Sequence, residues 1–138
     1  MKKTGLVIVA AAFAIAACGG RGTAIKEYGE AFDTATKKIN EVSADLKAAK
    51  DGKAVGAALN KFADTLNEMK TKGEALDKKH KLKMKGDEVP PELKPKFEAF
   101  QAAVKAMSEG PMMEAMKAHA AAPEVAEALK KIQEVSKD

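Results

Sequence analysis

Two methionines and a histidine near the C-terminal end of the chain have the residue types and spacing of a soft-metal site. Met112, Met116 and His119 fall at positions i, i+4 and i+7, which share one face of an α-helix. Thioether and imidazole groups are ligands that suit Cu(I). Methionine is also an adaptable filler of hydrophobic cores, and a methionine stripe at helical spacing more often serves that purpose. The pattern therefore has two interpretations, a Cu(I) site and core packing, and it favours the second.

Motifs for catalysis are missing from the sequence. It contains no nucleophile elbow, no phosphate-binding loop and no HExxH pair. The two histidines, His80 and His119, lie on different predicted helices and far apart along them, so we expect no joint site. The Glu-xx-His pairs of a di-iron bundle are also missing. We therefore predict that the protein is not an enzyme.

Cys18 is the only cysteine in the chain and follows a short apolar segment. Lys2 and Lys3 precede the apolar run of residues 6–15, which is too short for a helix that spans a bilayer. The run ends in Ile15-Ala16-Ala17-Cys18, which resembles the lipobox of bacterial lipoproteins. In that family the chain is cleaved before the cysteine, which is then acylated on sulfur and nitrogen and inserted in a membrane.

This resemblance implies that residues 1–17 are a signal peptide, that Cys18 carries lipid and that residues 18–23 are a flexible tether. The alternative is an uncleaved signal anchor, or an ordinary signal peptide followed by a chance cysteine. Gly19 occupies the position where enteric bacteria use aspartate to retain lipoproteins in the inner membrane. The resemblance therefore implies a lipid-anchored envelope protein and favours the outer membrane, on the side that faces the periplasm.

The charge balance of the remaining chain excludes a typical nucleic-acid partner. Two of the 24 basic residues belong to the signal, which leaves 22 against 20 acidic residues. Aromatic residues make up only 4% of the sequence, so we expect a thin core that is rich in alanine. Residues 24–138 are long enough for one domain with one core.

Apolar residues recur at intervals of three and four along residues 24–138, which predicts an all-α domain. The predicted helices run from about Ala24 to Lys50, from Lys53 to His80, from Pro91 to Glu109, and from Met112 to the C-terminus. We expect turns at Asp51-Gly52 and at Ser108–Pro111. We also expect Pro123 to kink or split the last helix near Ala121-Ala122. Gly73 lies on the apolar stripe of the second helix, where it would weaken the helix or let a neighbour approach closely.

Four helices in this order predict an up-down-up-down bundle. The order of these elements resembles the cytochrome b562 family. The order is a long helical hairpin, a proline-bearing loop at residues 81–91, a third helix, the Glu109-Gly110 turn and an Ala-rich last helix. The resemblance implies haem held by a methionine early in the first helix and a histidine late in the last. Tyr28 and Phe32 occupy the first place, and no histidine follows Pro123, so neither ligand carries over. We expect no cofactor; haem with altered ligands is an alternative beside Cu(I).

A run of lysines closes the second predicted helix around His80. It consists of Lys78, Lys79, Lys81, Lys83 and Lys85. Alternating helix directions place this run at the same end as the tether, where anionic lipid head groups would lie, and each lysine near such a surface contributes about 1 kcal/mol. The alternative is a solvated helix end, where the helix dipole favours cations.

These patterns together predict a membrane-anchored, non-enzymatic protein that has a structural role or binds a protein or envelope component. A Cu(I) or haem carrier is the alternative from another class. Pairing of the first two helices between chains would give an oligomer, which the thin core makes credible.

Overall fold

The computed structural model describes residues 21–81 and 89–137. Its helices are α1 (Arg21–Ala48), α2 (Gly52–His80), α3 (Lys94–Met107), a π-helical segment (Ser108–Met112), α4 (Met113–His119) and α5 (Pro123–Ser136). Within these described ranges no residue belongs to a strand, so the predicted all-α class is confirmed. The predicted signal peptide and Cys18, together with Lys83 and Lys85, lie outside the described residues.

The helices α1 and α2 form an antiparallel hairpin around the predicted turn. Asp51 caps α2, and its side chain accepts a hydrogen bond from the backbone N–H of Ala54 at 2.8 Å. Two ion pairs between these helices, Lys38–Glu68 and Asp45–Lys61, show their relative direction. The pair that lies further along α1 lies earlier along α2, so the two helices run in opposite directions. The hydrophobic stripes of the two helices therefore face each other along most of their length.

The turn predicted at Ser108–Pro111 is wrong. The backbone remains helical through the π-helical segment, with φ −64° and ψ −45° at Met107 and φ −64° and ψ −43° at Met113. Pro111 has no N–H for the regular i→i−4 bond, and the wider turn of a π-helix accommodates such a defect without reversing the chain. Residues 94–119 consequently form one continuous helical rod.

The chain reverses instead between α4 and α5. Ala122 has an extended backbone, and Pro123 occupies the first turn of α5, where its missing N–H is not needed. The described chain thus contains four helical rods, as predicted in number, but residues 112–119 belong to the third rod rather than the fourth. Of the two expectations for Pro123, a kink or a split, the structure has an interruption of the helix near Ala121-Ala122, and this interruption separates the third rod from the fourth.

The buried apolar residues of the described chain form two clusters at opposite ends of the rods. The larger one, which we call the four-helix end, buries residues from all four rods, among them Ile39, Leu59, Met107 and Val125. The smaller one, which we call the three-helix end, is formed by residues of α1 and α2 and of the segment that leads into α3. Its buried residues are Ala24, Tyr28, Ala31, Leu76, Val89 and Leu93.

The short helix α5 explains this difference between the two ends. It runs beside the first half of α2, as the ion pair between Lys131 and Asp64 at 2.6 Å shows, and it ends at Ser136. Among the described residues, none from α5 joins the smaller cluster. The second half of α2 is therefore packed by fewer helices than the first.

Candidate functional site

A half-open cleft of about 260 Å³ lies between α1, α2 and α3 at the three-helix end. Three phenylalanines form much of its wall: Phe32 from α1 and Phe97 and Phe100 from α3. The ring of Phe32 meets Phe97 edge-on with centroids 5.5 Å apart, and its centroid lies 6.3 Å from that of Phe100. Ala31, Met69 and Leu76 add further apolar surface. An apolar cavity of this kind is the usual form of a small-ligand site.

Gly73 lines the same cleft from α2. A Cβ at this position would meet no described atom within 4 Å. The expectation that Gly73 lets a neighbour approach closely is therefore not met by the described residues. Glycine inside a helix costs about 1 kcal/mol relative to alanine, and here no packing contact requires it. The effect of Gly73 is to leave the cleft open.

Tyr28 and Asp77, which both line the cleft, form a polar contact. The buried Tyr28 hydroxyl donates a hydrogen bond to Asp77 Oδ1 at 2.6 Å. Burial raises the pKa of Tyr28 well above its usual value, and the hydrogen bond to the Asp77 carboxylate raises this pKa further. The phenol is thereby held in its neutral, hydrogen-bond-donating form.

A second polar contact fastens the first turns of α1 to the last turn of α2. The carboxylate of Glu27 accepts a hydrogen bond from Lys79 Nζ at 2.6 Å and lies 2.6 Å from His80 Nε2. The hydrogen bond from Lys79, followed by the one from His80, lowers the pKa of Glu27. The His80 side chain is only 10% exposed, and its ring centroid lies 6.2 Å from that of Tyr28. We call Glu27, Tyr28, Asp77, Lys79 and His80 the terminal clamp.

Three of the predicted membrane-contact lysines lie in the described chain. Lys78 and Lys81 are exposed, and Lys81 closes α2 in the left-handed conformation with φ 54°. Lys79 belongs to the terminal clamp, so part of its charge is balanced by Glu27. The structure brings these three lysines to the three-helix end, and contact with a membrane stays a prediction.

The predicted Cu(I) face lies at the four-helix end, away from the cleft. Met112, Met116 and His119 are all half-buried, and Met112 packs against the larger core cluster that contains the fully buried Met107. Within residues 21–81 and 89–137, His, Cys, Asp and Glu form no group of three that could hold a metal ion. Met112 thus has the packing of a core residue, while metal binding by the three side chains stays a prediction.

The sequence predicts no joint site for His80 and His119, and it gives no direct sign of the contact between His80 and Glu27. The available signal was the position of the turn: in an antiparallel hairpin, residues at similar distances from Asp51-Gly52 lie side by side. That rule brings the first turns of α1 to the last turns of α2 and could have suggested the terminal clamp.

A scan against protein-family models finds no match for this chain, and searches of the curated proteins and of the solved structures find no similar protein. Although α1 and α2 have 28 and 29 residues, no helix in the described ranges combines the length and apolar character needed to cross a bilayer. Any function must be inferred from the chemistry of the residues themselves.

Proposed function

We propose that this chain is an exported, lipid-anchored protein of the bacterial cell envelope that binds a partner and catalyses no reaction. The observation that carries this proposal is the order of two features along the chain. Ile15-Ala16-Ala17-Cys18 has the lipobox pattern, and α1 begins only three residues after Cys18, at Arg21. Three residues span at most about 11 Å. Lipid on Cys18 would therefore hold the three-helix end near the membrane surface.

The proposed anchor is strong enough to be stable. Each buried methylene contributes ~0.8 kcal/mol, yet a single acyl chain gives only marginal binding. The two or three chains implied by the lipobox resemblance would hold the protein almost permanently. The absence of aspartate after Cys18 favours the outer membrane, facing the periplasm, as the location.

The rods are proposed to form an up-down-up-down bundle, with the second rod antiparallel to the first. The ion pair Lys96–Asp33 sets the start of α3 beside α1 at the three-helix end, and Lys131–Asp64 sets α5 beside α2. In this arrangement the cleft, the terminal clamp and the lysine run face the membrane. Lys78, Lys79, Lys81, Lys83 and Lys85 would then contact anionic head groups.

Mass spectrometry of the intact protein, extracted from its native membrane, tests the anchor. We expect the mass of residues 18–138 plus a diacylglyceryl group and one further acyl group. The matched control is Cys18→Ser, which should carry no lipid, because it lacks the thiol that would hold the lipid, whether or not residues 1–17 are kept. A wild-type mass equal to that of the unmodified chain would contradict the proposal, and flotation of inner and outer membranes separately would settle the location.

Photo-crosslinking in intact cells tests partner binding at the three-helix end. A crosslinking residue at exposed Lys78 should capture an envelope protein or lipid. The same residue at exposed Lys53 serves as the control, because Lys53 lies in the first turn of α2 and Lys78 in the last. Equal capture from both positions, or from neither, would contradict the choice of this end as the binding surface.

A further inference from the structure

Four of the seven methionines of the chain lie within ten residues, between positions 107 and 116. Their exposure to solvent differs in steps. Met107 is fully buried, whereas Met112 and Met116 are half-buried. Met113 is 46% exposed, and no other large hydrophobic side chain of the described residues is exposed. Of these four thioethers, that of Met113 is therefore the one that dissolved molecules reach most readily.

The two adjacent methionines also differ in their packing. The larger core cluster contains Met107 and Ala115, and Met112 packs against it. Among the described residues that form or border this cluster, Met113 is not present. A polar group on the side chain of Met113 would therefore disturb little packing. The same group on Met112 would lie against apolar neighbours and would cost stability, because it would be buried without a hydrogen-bond partner.

A thioether of this kind is oxidised by hydroperoxides to a sulfoxide. The sulfur lone pair attacks one oxygen of hydrogen peroxide, so that the S–O bond forms as the O–O bond breaks. The proton of the transferred hydroxyl passes to the departing hydroxide, which leaves as water. Sulfur loses two electrons and the peroxide gains them. The product side chain is polar, and the rate of the reaction depends on access of the peroxide to sulfur.

We propose that residues 112–116 are an oxidation site for hydroperoxides, in which Met113 reacts first and leaves the fold intact. Met112 reacts later, and its sulfoxide loosens the end of the third rod, because it no longer packs against the larger core cluster. Exposed Met113 thus takes up an oxidant at no structural cost, while Met112 is the position at which oxidation changes the structure. This inference uses described residues alone and does not depend on the proposed membrane anchor.

Timed oxidation with excess hydrogen peroxide tests the order of reaction. The protein extracted from its native membrane is sampled at intervals and digested, and mass spectrometry gives the sulfoxide fraction at each methionine. We expect Met113 to react roughly tenfold faster than the buried Met107, which is the internal control. Met112 and Met116 should have intermediate rates. In protein unfolded with urea, the four rates should become equal, because the fold no longer restricts access.

Two outcomes of this experiment would overturn the proposed order. One is that Met113 reacts no faster than Met112 in the folded protein. The other is that the difference between them persists in urea, since local sequence rather than the fold would then set the rates.

A matched pair of leucine variants tests the structural step. Met113→Leu removes the exposed thioether and Met112→Leu the packed one, and leucine has a similar volume to methionine. After the same long exposure to peroxide, Met113→Leu should lose at least about 3 °C in its midpoint of thermal unfolding, as the wild type does. Met112→Leu should lose clearly less. Wild type that is oxidised at Met113 alone should unfold at the temperature of the untreated protein.

Equal losses in the two variants would overturn the role of Met112. A loss of stability that already accompanies oxidation of Met113 alone would overturn the claim that this position tolerates a sulfoxide.

Discussion

Two glycines of α2 differ in what surrounds them. A Cβ at Gly56 would lie 2.7 Å from Cβ of Glu124 and 2.9 Å from its carbonyl oxygen, whereas a Cβ at Gly73 would meet no described atom within 4 Å. Glycine at the first position lets the backbone of α5 lie against α2. Glycine at the second leaves a cleft. One residue type on one helix thus marks a close helix contact at the four-helix end and an open space at the three-helix end.

The two ends also differ in what holds them together. Apolar side chains from every rod fill the larger cluster, whereas the smaller cluster is supplemented by the hydrogen bonds of the terminal clamp. Hydrogen bonds and ion pairs near the surface contribute less than deep burial. We therefore infer that the four-helix end carries most of the stability and that the three-helix end opens first.

The largest effect is expected from truncating leucines of α2. Leu59 is fully buried in the larger cluster, so Leu59→Ala should lower the free energy of unfolding by about 2–5 kcal/mol. Leu76→Ala should cost clearly less, because Leu76 borders the cleft and loses fewer contacts. Urea denaturation of both variants measures the difference. An equal or larger loss for Leu76→Ala would contradict the proposed division of stability.

A matched pair of glycine variants should change stability in opposite directions. Gly56→Ala forces α5 away from α2, and overpacking of this kind costs about 1–3 kcal/mol. Gly73→Ala should raise the free energy of unfolding by up to about 1 kcal/mol, because it improves helix propensity without a clash. Thermal and urea unfolding of the two variants provide the measurement. A destabilised Gly73→Ala would show that the space at residue 73 is occupied in the folded protein.

These two glycines also show what the sequence could predict. The three–four spacing of apolar residues located α1 and α2 to within a few residues, because burial of one face determines such helices. Gly110-Pro111 misled the prediction, because local rules treat this pair as a break. In the structure the helix continues through this pair as a π-helical segment. Met107 before the pair and Ala115 after it are both buried. Tertiary packing there outweighs the local preference.

The cleft could not be predicted because it follows from that displaced turn. A last helix that started at Met112 would have had about 25 residues, enough at 1.5 Å per residue to cover most of α2. With the turn moved to Ala120–Ala122, α5 has 14 residues, and among the described residues none from α5 joins the core cluster at the second half of α2. The site is thus a consequence of helix length, which no motif encodes.

Because of Tyr28 in the terminal clamp, the free energy of unfolding should fall as the pH rises into the alkaline range. The raised pKa means that the folded state holds the phenolic proton more tightly than the unfolded state does. The resulting stabilisation is complete below the ordinary tyrosine pKa, roughly 10, and decreases as the pH rises above it. Tyr28 is the only tyrosine and tryptophan is absent, so tyrosinate absorbance reports this residue alone. A Tyr28 titration midpoint near the ordinary tyrosine pKa would contradict the buried Tyr28–Asp77 contact. Asp77→Asn should lower the midpoint but leave it above the ordinary tyrosine pKa, because burial still raises the pKa of Tyr28.

At low pH a smaller effect of the opposite sign is expected from Glu27. Its pKa is lowered by Lys79 and His80, so its stabilising effect is present above the ordinary glutamate pKa, roughly 4.3, and is lost as the pH falls through the lowered pKa. Glu27→Gln should therefore be less stable than the wild type at neutral pH and should approach it in acid. Exposed Glu30→Gln is the control. Equal pH profiles for the wild type and Glu27→Gln would show that the clamp contributes nothing measurable.

The smallest effect is expected from the methionine face at the four-helix end. If Met112 and Met116 serve as packing residues, Met→Leu at either position should change the free energy of unfolding by less than about 1.5 kcal/mol. Elemental analysis of the protein from its native membrane should then find neither copper nor iron in stoichiometric amount. Near-stoichiometric copper that both variants lose would make Met112, Met116 and His119 a Cu(I) site and would place the function at the four-helix end. Stoichiometric iron would instead support haem with altered ligands, because thioether packing alone gives no reason for iron to be retained.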